Sequence, residues 1–208
     1  ILSALTEELR AQLPGIEMAA GAVGELDFIN AKALFHQRFN CVIPEIDTAA
    51  DGPLSSGRLE LIEARHPLLE ENLRASGGEV VPVSFALDDE KNAMVISGAN
   101  AGGKTVVLKT TGLLALAALS GISVPAKSAR VPFYASVLAD IGDHQSLAAN
   151  LSTFTSHVGN ISRMLEICEA PALVLLDEDG TGTDPEEGSA LGVAVVDHFR
   201  RVCGAHVI

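Results

Sequence analysis

The run Gly98-Ala99-Asn100-Ala101-Gly102-Gly103-Lys104-Thr105 sets two glycines, with four residues between them, directly before a lysine and a threonine. Glycines let a backbone wrap closely around an anion and turn successive N–H groups inward. A lysine at that place reaches the outer phosphates of a nucleotide, and the neighbouring hydroxyl binds Mg²⁺. Residues 98–106, Val106 included, therefore read as a phosphate-binding loop running into a helix. A nucleotide hydrolase built on such a loop also needs acids at the end of a buried strand. The apolar run Leu173 to Leu176 ends in Asp177 and Glu178. Asp177 fits the magnesium role through water, beside Thr105, and Glu178 is placed to polarise the attacking water. Lys104 and Glu178 are thus the expected catalytic pair. Asp179 makes a third consecutive carboxylate; like charges side by side repel, so it is expected to point away from the metal.

These residues need a strand before the loop, a helix after it and a second strand for the acids, and the sequence supplies all three. "NAMVISG" reads as a short buried strand, Gly103 to Leu119 as a helix and "ALVLLDED" as a buried strand. Around them, "RLELIEARHPLL", "VVPVSFAL" and "VPFYASVLADIG" read as extended, the first breaking at Pro67. Thr153 to about Glu169 is an amphipathic helix, whose start Ser152 and Thr153 have the hydroxyls to cap. Pro185 to Val202 is a helix with proline in its first turn, and "AHVI" opens another strand. Upstream, residues 1–40 read as two helices separated at Pro14-Gly15, with His36 and Arg38 as solvated positions. The polar stretch "PEIDTAADGPLSSG" is the best candidate boundary. The expected division is a helical segment over 1–50 and an α/β domain over 51–208. Near-continuous apolar strands alternating with helices point to a sheet that is mostly parallel.

Composition narrows the function further. The net charge is −13, from 27 acidic and 14 basic side chains, and aromatic residues are 4 % with no tryptophan. A domain gripping nucleic acid with its whole surface is basic, so any such contact is expected from a small patch or from parts outside this chain. The cysteines Cys41, Cys168 and Cys203 are scattered without a CxxC pair and read as reduced core thiols. The longest apolar run, Gly112 to Leu119, is too short for a membrane span. The expectation is a cytoplasmic protein with no membrane partner. A chain that opens on Ile1 and closes on "GAHVI" reads as a piece of something longer.

Taken together, "GANAGGKT", "DIGDHQS", "LSTF", "LLDEDGTGTDP" and "EARHP" resemble the ATPase domain of the MutS family, itself related to the ABC-transporter ATPases. The resemblance covers most of residues 58–208. "STFTSH" and "GTGTDPEEG" resemble the second bacterial MutS type, a branch that lacks the mismatch-reading domain and carries an Smr nuclease domain. What it implies is an α/β P-loop NTPase of the ABC type with a mixed, mostly parallel sheet flanked by helices, using ATP and Mg²⁺. It implies a homodimer with ATP at the interface, where Asn100 senses the γ-phosphate and Ser152 contacts the partner's ATP. Gly182, Thr183 and Asp184 relay between the two sites, and Gln145 matches a glutamine that feels the magnesium. Arg65 and His66 match an "RHP" turn, and Val80 or Val81 stands where relatives place an aromatic against adenine. The switch histidine lies beyond this stretch, His206 being too early to replace it. By resemblance the parent acts on DNA in restraint of recombination, with some members acting on stalled ribosomes. Two alternatives are a mismatch-repair MutS and a nucleotide-binding or structural fragment with no turnover of its own.

Overall fold

The computed structural model describes residues 2–48, 56–98, 102–142, 150–177 and 185–208, with 150–156 and 185 as backbone alone. The chain begins with one long helix, α1 (Leu2–Arg38). The expected break at Pro14-Gly15 does not occur, for Pro14 lies inside the helix. Proline withholds one i→i−4 hydrogen bond, and the residues around it are exposed, so the carbonyl it leaves is open to solvent. Every residue of the helix lies outside the core.

After α1 come β1 (Glu45–Asp47), β2 (Leu59–Ala64), α2 (Pro67–Ala75) and β3 (Val83–Leu87). They are followed by α3 (Lys104–Leu119), β4 (Ser128–Pro132), β5 (Ser136–Asp140) and α4 (Asn150–Ile167), then by β6 (Ala172–Leu176), α5 (Pro185–Val202) and β7 (His206–Val207). The fold is α/β, but one mostly parallel sheet is replaced by two sheets. The first has the order β1-β4-β2-β3, with β1 parallel to β4 and the other two pairings antiparallel. The second, β5-β6-β7, is wholly parallel, with α4 and α5 as its crossovers. Parallel neighbours need such a crossover, and α3 likewise carries the chain from β3 across to β4, which runs the same way on the other side of β2.

Two further expectations change. "VPFYASVLADIG" is not one strand but the end of β4 and all of β5, joined by a corner at Phe133–Ala135 that carries the chain between sheets. There Phe133 N–H donates to the Asp47 carbonyl at 3.0 Å and Ala135 N–H to the Pro171 carbonyl at 2.8 Å. "NAMVISG" forms a single parallel bridge, Ala93 to Val207, rather than a strand. Val95, read as buried, is 87 % exposed.

β6 lies at the centre. Leu173 and Leu175 face a core shared with α3 and the first sheet, while Ala172 and Val174 face a second core built with α4 and α5. Burial on both faces is why its sequence is an unbroken apolar run. Cys203 and the half-buried Cys168 belong to that second core. Burial, with Cys203 beside it, pushes the Cys168 thiol up to about 12.

Candidate functional site

The site is set by where α3 starts and where β6 ends. Gly103 is the N-cap of α3 with φ of 81°, a left-handed conformation that glycine adopts without strain, and among the described residues no side chain caps the helix. The first N–H groups of α3, together with its dipole, thus form a positive end. Lys104 leads the helix, and its Nζ donates to the Gly98 carbonyl at 3.1 Å, folding the lysine back over the loop. One residue on, the Thr105 hydroxyl donates to Asp177 Oδ2 at 2.7 Å. Asp177 follows directly on β6, and its N–H donates to the Asp140 carbonyl at 3.0 Å, extending the β5–β6 pairing by one step.

Gly98, Gly103, Lys104, Thr105 and Asp177 are therefore assembled at one edge of the parallel sheet. Gly102 is exposed beside them, and Val106 is half-buried with its carbonyl accepting from the Thr110 hydroxyl at 2.6 Å. A cavity of about 230 Å³ opens next to the group, lined by Lys104 and Asp177 on one side and by apolar residues including Met94, Leu176 and Val207. Val80 is elsewhere, in a cleft with Arg65, Glu70 and Arg74 that neither Lys104 nor Thr105 lines. Ala99, Asn100, Ala101, Gln145, Glu178, Asp179, Gly182, Thr183 and Asp184 lie outside the described residues. Ser152 is in the first turn of α4. The helix starts at Asn150, so neither Ser152 nor Thr153 is its cap residue.

The "RHP" turn is structural in its contacts. His66 caps α2, its Nδ1 accepting from Leu69 N–H at 3.4 Å. Burial, then the nearby Lys109, lowers its pKa. Arg65 donates to the carbonyls of Phe39 (2.5 Å) and Asn40 (3.3 Å), tying the end of α1 to the sheet. His206 sits at the start of β7, opposite Leu173 and away from Asp177. It is fully buried, with its Nδ1 2.7 Å from the Tyr134 hydroxyl. Burial pushes its pKa down to about 4 against the pull of Asp89 and Asp88.

Sequence alone did not single out Asp140, His157 and Asn160. Asp140 ends β5 with 5 % exposure; its Oδ2 is 2.5 Å from His157 Nδ1, and its Oδ1 accepts from Asn160 Nδ2 at 3.0 Å. The signal was an acid closing an apolar strand and two polar residues three apart on the next helix, which share a face.

Comparison with known proteins adds to this geometry. Residues 94–208 match the family model described as MutS domain V. A protein named endonuclease MutS2 from Clostridium botulinum (strain Loch Maree) is 42 % identical over 209 residues, covering 100 % of this chain and 25 % of that protein. Proteins of the same name from Clostridium tetani and Caldanaerobacter subterraneus are 39 % and 41 % identical, each over 97 % of this chain and 24 % of their own length. The chain thus spans about a quarter of the curated relatives it matches.

Proposed function

Because this chain belongs to the MutS family, matching its domain V, we propose that it is the ATP-binding and ATP-hydrolysing part of a DNA-acting protein of the second MutS type. The observation that carries the reading is the Thr105–Asp177 hydrogen bond, 2.7 Å between residues 72 apart in sequence, at the start of α3. A hydroxyl and a carboxylate at one point are hard oxygen donors of the kind Mg²⁺ takes. The start of α3 and Lys104 supply the positive counterpart to a polyphosphate.

On this reading the fold is a P-loop NTPase of the ABC type. The 98–106 loop holds the phosphates, with Lys104 drawing on the β- and γ-oxygens and Asn100 sensing the last. Thr105 and Asp177 hold Mg²⁺, which when bound neutralises charge on those oxygens. Glu178 orients and polarises the attacking water. Ser152 completes the site of a second copy, so that ATP closes a homodimer and hydrolysis releases it. Gly182, Thr183 and Asp184 link the two sites, and Gln145 lies near the metal. DNA clamping, restraint of recombination, action on ribosomes, nuclease activity and a cytoplasmic location are proposals for the whole protein. The names of the relatives support that branch over a mismatch-repair MutS.

Calorimetry of Mg·ATP on this chain tests the site. Wild type and Glu178→Gln are expected to bind. Lys104→Ala should lose roughly 10- to 100-fold in affinity, the worth of one charge-assisted hydrogen bond. Equal affinity in all three would sink the assignment.

A further inference from the structure

We propose that Asp140 is a positioning residue: by holding His157 and Asn160 it locks α4, the helix that carries Ser152, to the acid that meets Thr105. The proposal rests on the ATP-site reading above and extends it from one edge of the sheet to the neighbouring helix.

The links are continuous. The Thr105 hydroxyl donates to the Asp177 carboxylate at 2.7 Å, and Asp177 N–H donates to the Asp140 carbonyl at 3.0 Å. The Asp140 carboxylate then meets His157 Nδ1 at 2.5 Å and takes the Asn160 amide at 3.0 Å. The first turn of α3 is thereby joined to the middle of α4 through the ends of β6 and β5. Ser152 stands five residues before His157 on the same helix, about 7.5 Å along its axis.

The arrangement is restrictive because Asp140 is buried. Each of its carboxylate oxygens has one partner on α4, and both partners come from one helical face. Turning α4 by one residue, about 100°, would strip both partners from the carboxylate. A buried carboxylate without partners is strongly unfavourable. The helix therefore has one favoured seat rather than a soft range, and that seat is referenced to Asp177. Occupancy of the Lys104–Thr105–Asp177 site and the placement of α4 are coupled through this clasp, and such coupling acts in both directions.

Hydrogen exchange of the α4 backbone, with and without Mg·ATP, tests this on the chain itself. Three variants accompany wild type: His157→Leu, which removes the partner; His157→Asn, whose amide nitrogen stands where Nδ1 stood; and Asn160→Ala, at an exposed position that keeps the test open should His157→Leu fail to fold. The expected result is that wild-type α4 gains protection when Mg·ATP binds. His157→Leu and Asn160→Ala should lose that gain and, by the same coupling, weaken Mg·ATP binding about two- to threefold, and His157→Asn should restore both. In turnover by the dimer, kcat should fall at least about tenfold with KM little changed. Persistence of the nucleotide-induced protection in both His157→Leu and Asn160→Ala would overturn the proposal, reducing the clasp to packing. Failure of wild type to bind Mg·ATP would overturn the site reading instead, and the proposal with it; that outcome is visible before any variant is made.

Discussion

Asp177 and His206 stand at opposite ends of the parallel sheet, and their surroundings suit opposite tasks. Asp177 is half-buried with a hydroxyl at 2.7 Å, open on the side of a cavity it shares with Lys104. His206 is fully buried against Tyr134, with its pKa lowered from 6.5 to about 4 chiefly by burial. The unfolded chain takes up this proton first, near pH 6.5, so the neutral ring contributes its full stability above that value. The contribution is lost as pH falls toward 4, and between pH 7 and pH 5 the loss is about 2 kcal/mol. Urea unfolding of wild type and His206→Leu at these two pH values checks it. The variant is less stable at both because Tyr134 loses its partner, so the informative quantity is each protein's change with pH. An equal change in the two proteins would rule out His206 as the source. Motif spacing made the neighbourhood of Lys104, Thr105 and Asp177 legible in the sequence, since a strand–glycine–lysine–helix run and an acid after a buried strand are local patterns, and the structure brings Thr105 and Asp177 into contact. Asp140 was not legible, because its partners appear only once α4 is seated on β5.

At the scale of elements, the site depends on how closely α3 lies on β6. A Cβ built on Gly112 would come within 2.7 Å of Leu175 Cδ1, so the helix lies on the strand with no room for a side chain at 112 unless Leu175 moves. The Leu175 methyl is the end of a flexible chain and can turn away from one added carbon. Gly112→Ala is therefore expected to be near neutral, with strain offset by up to ~1 kcal/mol of helix propensity. Gly112→Val needs the helix itself to move and should cost about 1–3 kcal/mol. Because α3 begins with Lys104 and Thr105, lifting it also draws Thr105 from Asp177, and Mg·ATP affinity should fall alongside stability. Urea midpoints and calorimetry on the two variants read both effects; unchanged affinity in Gly112→Val would separate the helix seat from the site. β6 was legible because its unbroken apolar run is buried on both faces, and α4 because Ile161 and Met164 of its apolar stripe are buried, though Val158 of the same stripe is exposed. β1 was hidden in a polar stretch, since its three residues are held by pairing with β4, 85 residues away. α2 was hidden behind Pro67, which starts the helix rather than ending the strand alone.

At the scale of the whole molecule, the assembled half-site is only half of what the proposed chemistry needs. With a net charge of −13, two copies of this chain repel at long range unless something bridges them; on the proposed reading, ATP with Mg²⁺ held by Lys104 on one copy and met by Ser152 of the other would be that bridge. Two defective copies should then complement each other. A dimer of Glu178→Gln alone has no working site, and neither has a dimer of Ser152→Ala. In a mixed dimer, the copy with intact Glu178 faces the copy with intact Ser152, and that one site is whole, while the other carries both defects. Random mixing makes about half of all dimers mixed, each with one good site of two, so turnover should recover to about one quarter of wild type. The assay is ATP hydrolysis by the two variants of the full-length protein, separately and after mixing. Recovery assigns Ser152 to the partner's ATP. Activity that stays at the level of the separate variants, with mixed dimers shown to form, would mean that Ser152 serves its own subunit, and α4 would then report on the site beside it rather than on the one across the interface.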